Sequence, residues 1–125
     1  MDIFARNVPG ATAVLLRRTV AVAGCGGLGS HAAVLLVRAG VGRLILIDHD
    51  RVEPSNLNRQ HYVQDDVGRL KVEALADHLR RIRPEIELDL RAQELTPAGV
   101  PGLAAADLLV EAFDRAEAER WLLEA

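Results

Sequence analysis

The spacing of hydrophobic and polar residues changes several times along the chain, and each change predicts a new element. The run TVAVAG at 19–24 is continuously apolar and rich in β-branched residues, which is typical of a buried strand. GLGSHAAVLLVRAG at 27–40 repeats its apolar residues at helical spacing and ends in glycine, and RLILID at 43–48 is a second apolar strand. These segments predict a βαβ unit.

The rest of the chain predicts a further helix and two further strands. We expect an amphipathic helix from about Asp66 to Arg83, followed by a more exposed third strand in EIELDLRAQ at 85–93. ADLLVEAF at 106–113 predicts a fourth, buried strand. This order predicts an α/β fold, a Rossmann-like parallel sheet with helices on both faces and spatial strand order 3-2-1-4.

Length and composition indicate one small domain over residues 1–125 with an aliphatic core, because half of the residues are hydrophobic and only 3% are aromatic. The net charge of −3 gives no general attraction to nucleic acid or to an anionic membrane. No segment has the pattern of a signal peptide or a membrane span, so we expect a cytoplasmic protein. The amphipathic C-terminal segment AEAERWLLEA has no later element to pack on. This favours a truncated, N-terminal half of a larger fold, or a helix face that is buried in a partner.

A glycine motif separates the first strand from the first helix. Gly24, Gly26 and Gly29 of GCGGLG have GxGxxG spacing, which allows a tight turn and close approach of a phosphate to the helix N-terminus. Asp48 ends the second strand, where such folds place a ribose-binding carboxylate. The pair predicts a nucleotide site, although an NAD-dependent oxidoreductase would share both features and the glycines alone are compatible with close packing.

The polar loop from His49 to about Asp65 is much longer than the roughly 2 to 6 residues usual in such connections. Asn56 and Arg59 are three residues apart, so one helical turn would place both on one face; a turn asparagine and a surface arginine are the alternative. Lys71 is expected in the second turn of its helix without a carboxylate at helical spacing, which fits an external anion.

Acidic residues follow the strands at the same edge of the predicted sheet. Asp48, Asp50 and Asp114 are expected there, and carboxylates beside a phosphate suit a bridging Mg²⁺. An N-cap role for Asp114 and a local ion pair for Asp50 remain alternatives. Cys25, the single cysteine, is expected to pack against the sheet rather than act as a nucleophile. The four histidines show no metal-site spacing.

The segments GCGGLGSHAA, LILIDHDRVEPSNLNRQ, GRLK and VEAFD resemble the adenylating domain of the ThiF, MoeB and HesA family, which is related to ubiquitin-activating enzymes. The VEAFD form looks like the short ThiF-like branch linked to thiamine biosynthesis. The resemblance implies ATP-dependent adenylation of the C-terminal glycine carboxylate of a ubiquitin-like sulfur carrier protein ending in Gly-Gly, with release of pyrophosphate. It also implies a homodimer in which an N-terminal arginine of one subunit, here Arg6, reaches the nucleotide of the other.

By the same resemblance, each candidate residue has an implied role. Asp48 would bind the ribose, Asn56, Arg59 and Lys71 would contact the triphosphate and its transition state, and Asp114 would hold Mg²⁺. The remaining nucleotide-binding residues would be Gly24, Gly26, Gly27, Gly29 and Asp50. Arg115 replaces the family's asparagine. Activation of a modified tRNA base and a non-catalytic nucleotide-binding subunit remain alternatives.

Overall fold

The computed structural model describes residues 10–58 and 60–112. The helices are α1 (Ala11–Leu15), α2 (Gly27–Ala39) and α3 (Lys71–Ile82), and the strands are β1 (Thr19–Ala23), β2 (Arg43–Ile47), β3 (Glu87–Arg91) and β4 (Leu108–Glu111). Three 3₁₀ segments lie at Pro54–Asn56, Gln64–Asp66 and Pro97–Leu103.

The four strands form one parallel sheet in the order β3-β2-β1-β4. β1 is central and pairs with β2 from Thr19 opposite Arg43 and with β4 from Val20 opposite Leu108. The predicted Rossmann-like α/β fold and strand order are confirmed. Because the strands are parallel, their carboxyl ends, with the loops that follow them, meet at one edge of the sheet.

Alternate side chains of the central strands enter two separate cores. Val20 and Val22 of β1 face the core that holds α2 and α3, whereas Ala21 and Ala23 face the opposite side. That second side is covered by Leu95 and by the 3₁₀ segment Pro97–Leu103. A strand buried on both faces has to be apolar throughout, which explains the continuous runs in the sequence.

The predicted start of α3 at Asp66 is wrong. Gly68 has a φ of 90°, which a right-handed helix does not allow, and Leu70 has extended backbone before α3 begins at Lys71. The segment 68–70 pairs instead with Arg51 and Val52. Lys71 is therefore the first residue of the helix and not part of its second turn.

The prediction that β4 is buried is also wrong. Leu108 is 55% exposed and the other three residues of β4 are half-buried. The cause is its position, since β4 is an edge strand of the sheet formed by the described residues. A side chain at an edge loses the neighbours that a second flanking strand would supply, whatever its hydrophobicity.

The buried guanidinium of Arg83 joins α3 to the end of α2. Its Nη1 donates to the carbonyl oxygens of Val37 at 3.0 Å and Val41 at 2.7 Å. Carbonyl groups at a helix C-terminus lack partners within the helix, and a cation there is also favoured by the helix dipole. Arg83 therefore holds together the helices that cover one face of the sheet.

We expect Arg83→Leu to lower the free energy of unfolding by about 2 to 3 kcal/mol, because it removes two charge-assisted hydrogen bonds and takes from the buried Val41 carbonyl its recorded donor. Urea denaturation measures the loss. Arg81→Leu is the control. Arg81 is exposed and lies two residues before Arg83, so its loss should change stability by less than about 0.5 kcal/mol. Equal losses in both variants would contradict the role given to Arg83.

Candidate nucleotide site

The glycine loop is held in a conformation that side chains do not tolerate. Gly24 has a φ of 95°, and a Cβ on Gly29 would stand 1.7 Å from the carbonyl oxygen of Gly24. Gly26 is the N-cap of α2 and has no side chain to accept hydrogen bonds from the first turn. The N–H groups at the start of α2 are thus suited to an external anion.

Asp48 fastens this loop to the end of β2. One carboxylate oxygen accepts a 2.8 Å hydrogen bond from the Cys25 N–H, and the other accepts a 2.7 Å bond from the Asp50 N–H. The carboxylate is half-buried and retains lone pairs for a further donor. Asp48 thus lies directly beside the glycine loop, as the sequence predicted.

The long polar loop is folded back on itself. The Gly68 N–H donates to the Val52 carbonyl at 2.8 Å, and the Val52 N–H donates to the Arg69 carbonyl at 2.9 Å. The Lys71 N–H donates to the carbonyl of Asp50 at 3.0 Å. This short antiparallel pairing fixes the start of α3 beside the end of β2.

Tyr62 connects the polar loop, the glycine loop and α3 through one hydroxyl group. Its O–H lies 2.5 Å from the Cys25 carbonyl and 3.5 Å from the Lys71 carbonyl. Burial, with the neighbouring Cys25, raises the pKa of Tyr62, so the hydroxyl stays protonated and remains a donor. The backbone of Lys71 is thereby held next to the glycine loop.

Lys71 is a buried cation with no acidic partner among residues 10–58 and 60–112. Its residue exposure is 7%, and none of the ion pairs among the described residues includes it. It is also the only lysine in a chain with 15 lysines and arginines together. Its place at the N-terminus of α3 is unfavourable for a cation by about 0.3 to 1 kcal/mol. An incoming anion would remove both costs.

Neighbouring Arg69 shows the contrast. It pairs with Asp77 at 2.6 Å and with Asp66 at 3.6 Å. Two carboxylates thus neutralise Arg69, whereas Lys71 has no such partner in the part of the chain that the structure describes.

Asn56 is the second buried polar group of the predicted site. It is 7% exposed and ends the 3₁₀ turn Pro54–Asn56, and its Oδ1 accepts a 2.8 Å bond from the Glu53 N–H. This bond orients the side-chain amide and uses only its oxygen, so the nitrogen remains a donor for a ligand. Arg59, Asp114, Arg115 and Arg6 lie outside the described residues.

Gln60 is a residue that the sequence analysis did not select. It is 8% exposed, and its Oε1 is buried without a hydrogen-bond partner. A buried carbonyl oxygen in that condition costs about 1 to 3 kcal/mol. Its position directly after Arg59 was the available signal, but polarity alone does not distinguish a buried glutamine from a solvated one.

The acidic residues at the strand ends form a small group. Asp48, His49 and Asp50 each place one ligand atom within 4.8 Å of the others, and His49 Nε2 lies 3.3 Å from Asp50 Oδ1. This contact agrees with the local ion pair considered for Asp50. Three ligand atoms are fewer than the six that Mg²⁺ prefers, so the cluster by itself is not a complete set of metal ligands.

Three histidines that the sequence separates come together beside this site. The ring centroids of His31 and His61 are 5.8 Å apart and those of His61 and His78 are 5.5 Å apart, both edge to face. His78 Nε2 lies 2.7 Å from Asp66 Oδ2, and the His61 N–H donates to Ser30 Oγ. Among the described residues, these rings do not belong to a group whose ligand atoms could meet one metal ion.

Comparison with known proteins agrees with the sequence motifs. The ThiF family profile matches residues 4–125. The chain belongs to the ThiF family. The resemblance stated for the glycine loop and the polar loop is confirmed, and the Rossmann-like sheet is the family's nucleotide-binding fold in this chain.

Individual relatives of this ThiF-family chain have several functions. It is 37% identical over 115 residues to ubiquitin-like modifier-activating enzyme 5 of Culex quinquefasciatus, covering 82% of this chain and 29% of that protein. The AMP complex of the Escherichia coli tRNA N6-threonylcarbamoyladenosine dehydratase TcdA matches with a TM-score of 0.90 and 31% identity, over 97% of this chain and 50% of that one. E. coli MccB with ATP matches with a TM-score of 0.80 and 33% identity, over 86% and 33%.

The chain thus spans half or less of the length of these relatives. Among the described residues, no helix is both long enough and apolar enough to cross a bilayer.

Cys25 is buried, and its environment opposes ionisation. Burial, followed by the negative charge of Asp48, raises the pKa of the Cys25 thiol far above its ordinary value. We expect the folded protein to react with a thiol reagent at least about a hundredfold more slowly than the denatured protein. A Cys25→Ala, Ala92→Cys protein carries an exposed thiol and should react rapidly when folded. Fast labelling of folded wild type would contradict the buried, inert assignment.

The histidine group predicts a dependence of stability on pH. Burial, then His78, His31 and Arg38, lowers the pKa of His61 below 6.5, with only Asp66 acting in the opposite direction. The unfolded chain therefore binds the His61 proton more readily, so stability is complete above about pH 6.5 and falls as the pH decreases below it.

We expect His61→Gln to lose less unfolding free energy than wild type between about pH 7.5 and about pH 5.5, measured by urea denaturation at each pH. His49→Gln, outside the group, should keep the wild-type slope. Identical slopes for wild type and His61→Gln would show that His61 does not titrate in this way.

Proposed function

We propose that this ThiF-family protein binds ATP at the glycine loop and adenylates a carboxylate, releasing pyrophosphate. The observation that carries this proposal is Lys71, a buried lysine that forms no ion pair among the described residues. Its backbone carbonyl faces the Tyr62 hydroxyl that also bonds the glycine loop, and its charge is close enough to act on the Cys25 thiol in that loop. MccB has been solved with ATP, and its structural similarity supports the choice of nucleotide. An NAD-dependent dehydrogenase would have no need for a cation such as Lys71 in the segment that follows its ribose-binding carboxylate.

The reaction brings two anions together, because the carboxylate attacks the α-phosphorus of a charged triphosphate. Fixed donors must therefore offset the repulsion and stabilise the leaving pyrophosphate. Lys71 and Arg59 are the proposed cations, and the Asn56 amide nitrogen is the proposed neutral donor. Since the attacking carboxylate is already ionised, no general base is required.

The remaining residues would hold the nucleotide in place. The N–H groups at the start of α2 face the phosphates over Gly26 and Gly27, and Asp48 accepts hydrogen bonds from the ribose hydroxyls. Asp48 suits that role because its carboxylate is oriented by two backbone N–H groups and keeps free lone pairs. Asp50 lies beside it at the rim.

Mg²⁺ is the expected counterion of ATP in this site. Carboxylate oxygens are the ligands it prefers, and Asp114 is its proposed ligand. Asp50 adds an exposed carboxylate on the loop that follows β2. When bound, the ion would neutralise part of the phosphate charge.

The acceptor is proposed to be the C-terminal glycine carboxylate of a ubiquitin-like protein. The similarity to a ubiquitin-like modifier-activating enzyme over 82% of this chain supports that class. Within it, a Gly-Gly sulfur carrier of thiamine biosynthesis is the finer proposal, and it rests on the resemblance of VEAFD to the short ThiF-like branch. A homodimer in which Arg6 reaches the partner's nucleotide belongs to the same proposal.

A second candidate acceptor is a carboxylate on a modified tRNA base. The TM-score of 0.90 to the tRNA N6-threonylcarbamoyladenosine dehydratase favours it, whereas the net charge of −3 does not. Pyrophosphate exchange stimulated by tRNA and not by a carrier protein would select this candidate.

We expect Lys71→Met to lower carboxylate-dependent exchange of pyrophosphate into ATP by about 10² to 10³, because one preorganised electrostatic donor is lost from the transition state. The assay uses the purified protein with a ubiquitin-like carrier ending in Gly-Gly. Arg59→Ala should cause a loss of the same order.

Arg69→Met is the matched control, because Arg69 is the neighbouring cation and is already paired with acids. It should keep exchange within about threefold of wild type. A loss below about threefold in Lys71→Met would remove Lys71 from the mechanism.

A further inference from the structure

We propose that Gln60 is a further ligand-binding residue of the glycine-loop site, whose side-chain amide nitrogen donates to a phosphate oxygen of the nucleotide bound over Gly26. This inference rests on the proposed ATP site and adds to it a residue that neither the sequence motifs nor the family match assigns a role.

The side chain of Gln60 lies against the glycine loop. Gln60 Nε2 lies 3.5 Å from the point where a Cβ on Gly26 would stand, and Cδ follows at 3.8 Å. The amide nitrogen is therefore the end of the carboxamide that faces the N-cap of α2. The same face of the loop carries the free N–H groups of the first helical turn.

The side-chain amide of Gln60 is buried and has no recorded hydrogen-bond partner among the described residues. Gln60 is 8% exposed, its Oε1 has no partner, and none of the side-chain hydrogen bonds recorded for residues 10–58 and 60–112 includes its amide nitrogen. A glutamine kept in the core for stability would bond both ends of its carboxamide, as buried amides generally do. With no recorded partner among the described residues, the amide nitrogen beside the helix N-terminus is available to donate to a group that arrives with a ligand.

The chemistry of the site selects a phosphate as that group. The N–H groups at the start of α2 and the Gln60 amide nitrogen are donors beside Gly26. The backbone of Lys71 lies next to the same loop through Tyr62, and its charge acts on Cys25 within that loop. Converging donors favour an anionic acceptor. The amide dipole, with nitrogen toward Gly26 and oxygen away from it, acts in the same direction.

The backbone of Gln60 explains how the side chain is held. The Gln60 N–H donates to the Asn56 carbonyl at 2.9 Å, so the turn that positions Asn56 also positions Gln60. The next residue, His61, is bonded through its N–H to Ser30 Oγ on α2. Both ends of the residue are thus fixed relative to the glycine loop.

The test is Gln60→Leu, which keeps an apolar body of similar size and removes both polar atoms. Two quantities are measured on the purified protein, the melting temperature without ligand and the Kd for ATP with Mg²⁺ by calorimetry. We expect binding about ten- to hundredfold weaker, and a ligand-free melting temperature equal to or above that of wild type, because an unsatisfied oxygen is removed. Gln60→Glu should bind ATP more weakly still, because a carboxylate repels phosphate.

Gln64→Leu, at an exposed position in the same loop, is the control and should leave both quantities unchanged. If Gln60→Leu binds ATP as wild type does, the inference is wrong while the proposed ATP site stands. A lower melting temperature without ligand would show a structural role and would equally overturn it. Absence of ATP binding in wild type would refute the proposed function itself, and this inference with it.

Discussion

The attachment of the glycine loop to the end of β2 is the constraint on which the site depends. Gly24 has a left-handed backbone, and Gly29 at the start of α2 packs against its carbonyl oxygen. Because the loop consists largely of glycine, it has few side chains of its own to fix this conformation. The Asp48 carboxylate fixes it from outside by accepting the Cys25 N–H, and Tyr62 fixes the adjacent carbonyl. The free N–H groups of α2 are thereby kept in one orientation, as a preorganised anion site requires.

The long polar loop has a structural reason to be long. It has to leave the sheet after Asp48, pass over the glycine loop with Gln60 and Tyr62, and return to pair with its own beginning before α3 starts. Because the pairing of 68–70 delays the helix, Lys71 becomes its first residue and its backbone meets the Tyr62 hydroxyl. One connection thus brings the Gln60 side-chain amide and the backbone of Lys71 next to the glycine loop.

The fold was largely predictable because the two central strands, β1 and β2, are buried on both faces, and a buried strand of this kind has to be apolar throughout, as LILI in β2 is. The start of α3 was not, because the helical period continues through Val67 and only the conformation of Gly68 interrupts it. The exposure of β4 depends on its place at the edge, and the meeting of His31, His61 and His78 depends on tertiary packing. Gln60 illustrates the same limit, since sequence shows an amide but not the absence of its partners.

The central claim is that the unpaired cation of this site binds the phosphates of ATP. Calorimetric titration of the wild-type protein with ATP, AMP and NAD, each with Mg²⁺, tests it most directly. The account predicts that ATP binds at least about tenfold more tightly than AMP, because the β- and γ-phosphates add contacts to fixed donors, and that NAD binds more weakly than ATP. Equal affinities for ATP and AMP, or a preference for NAD, would contradict it.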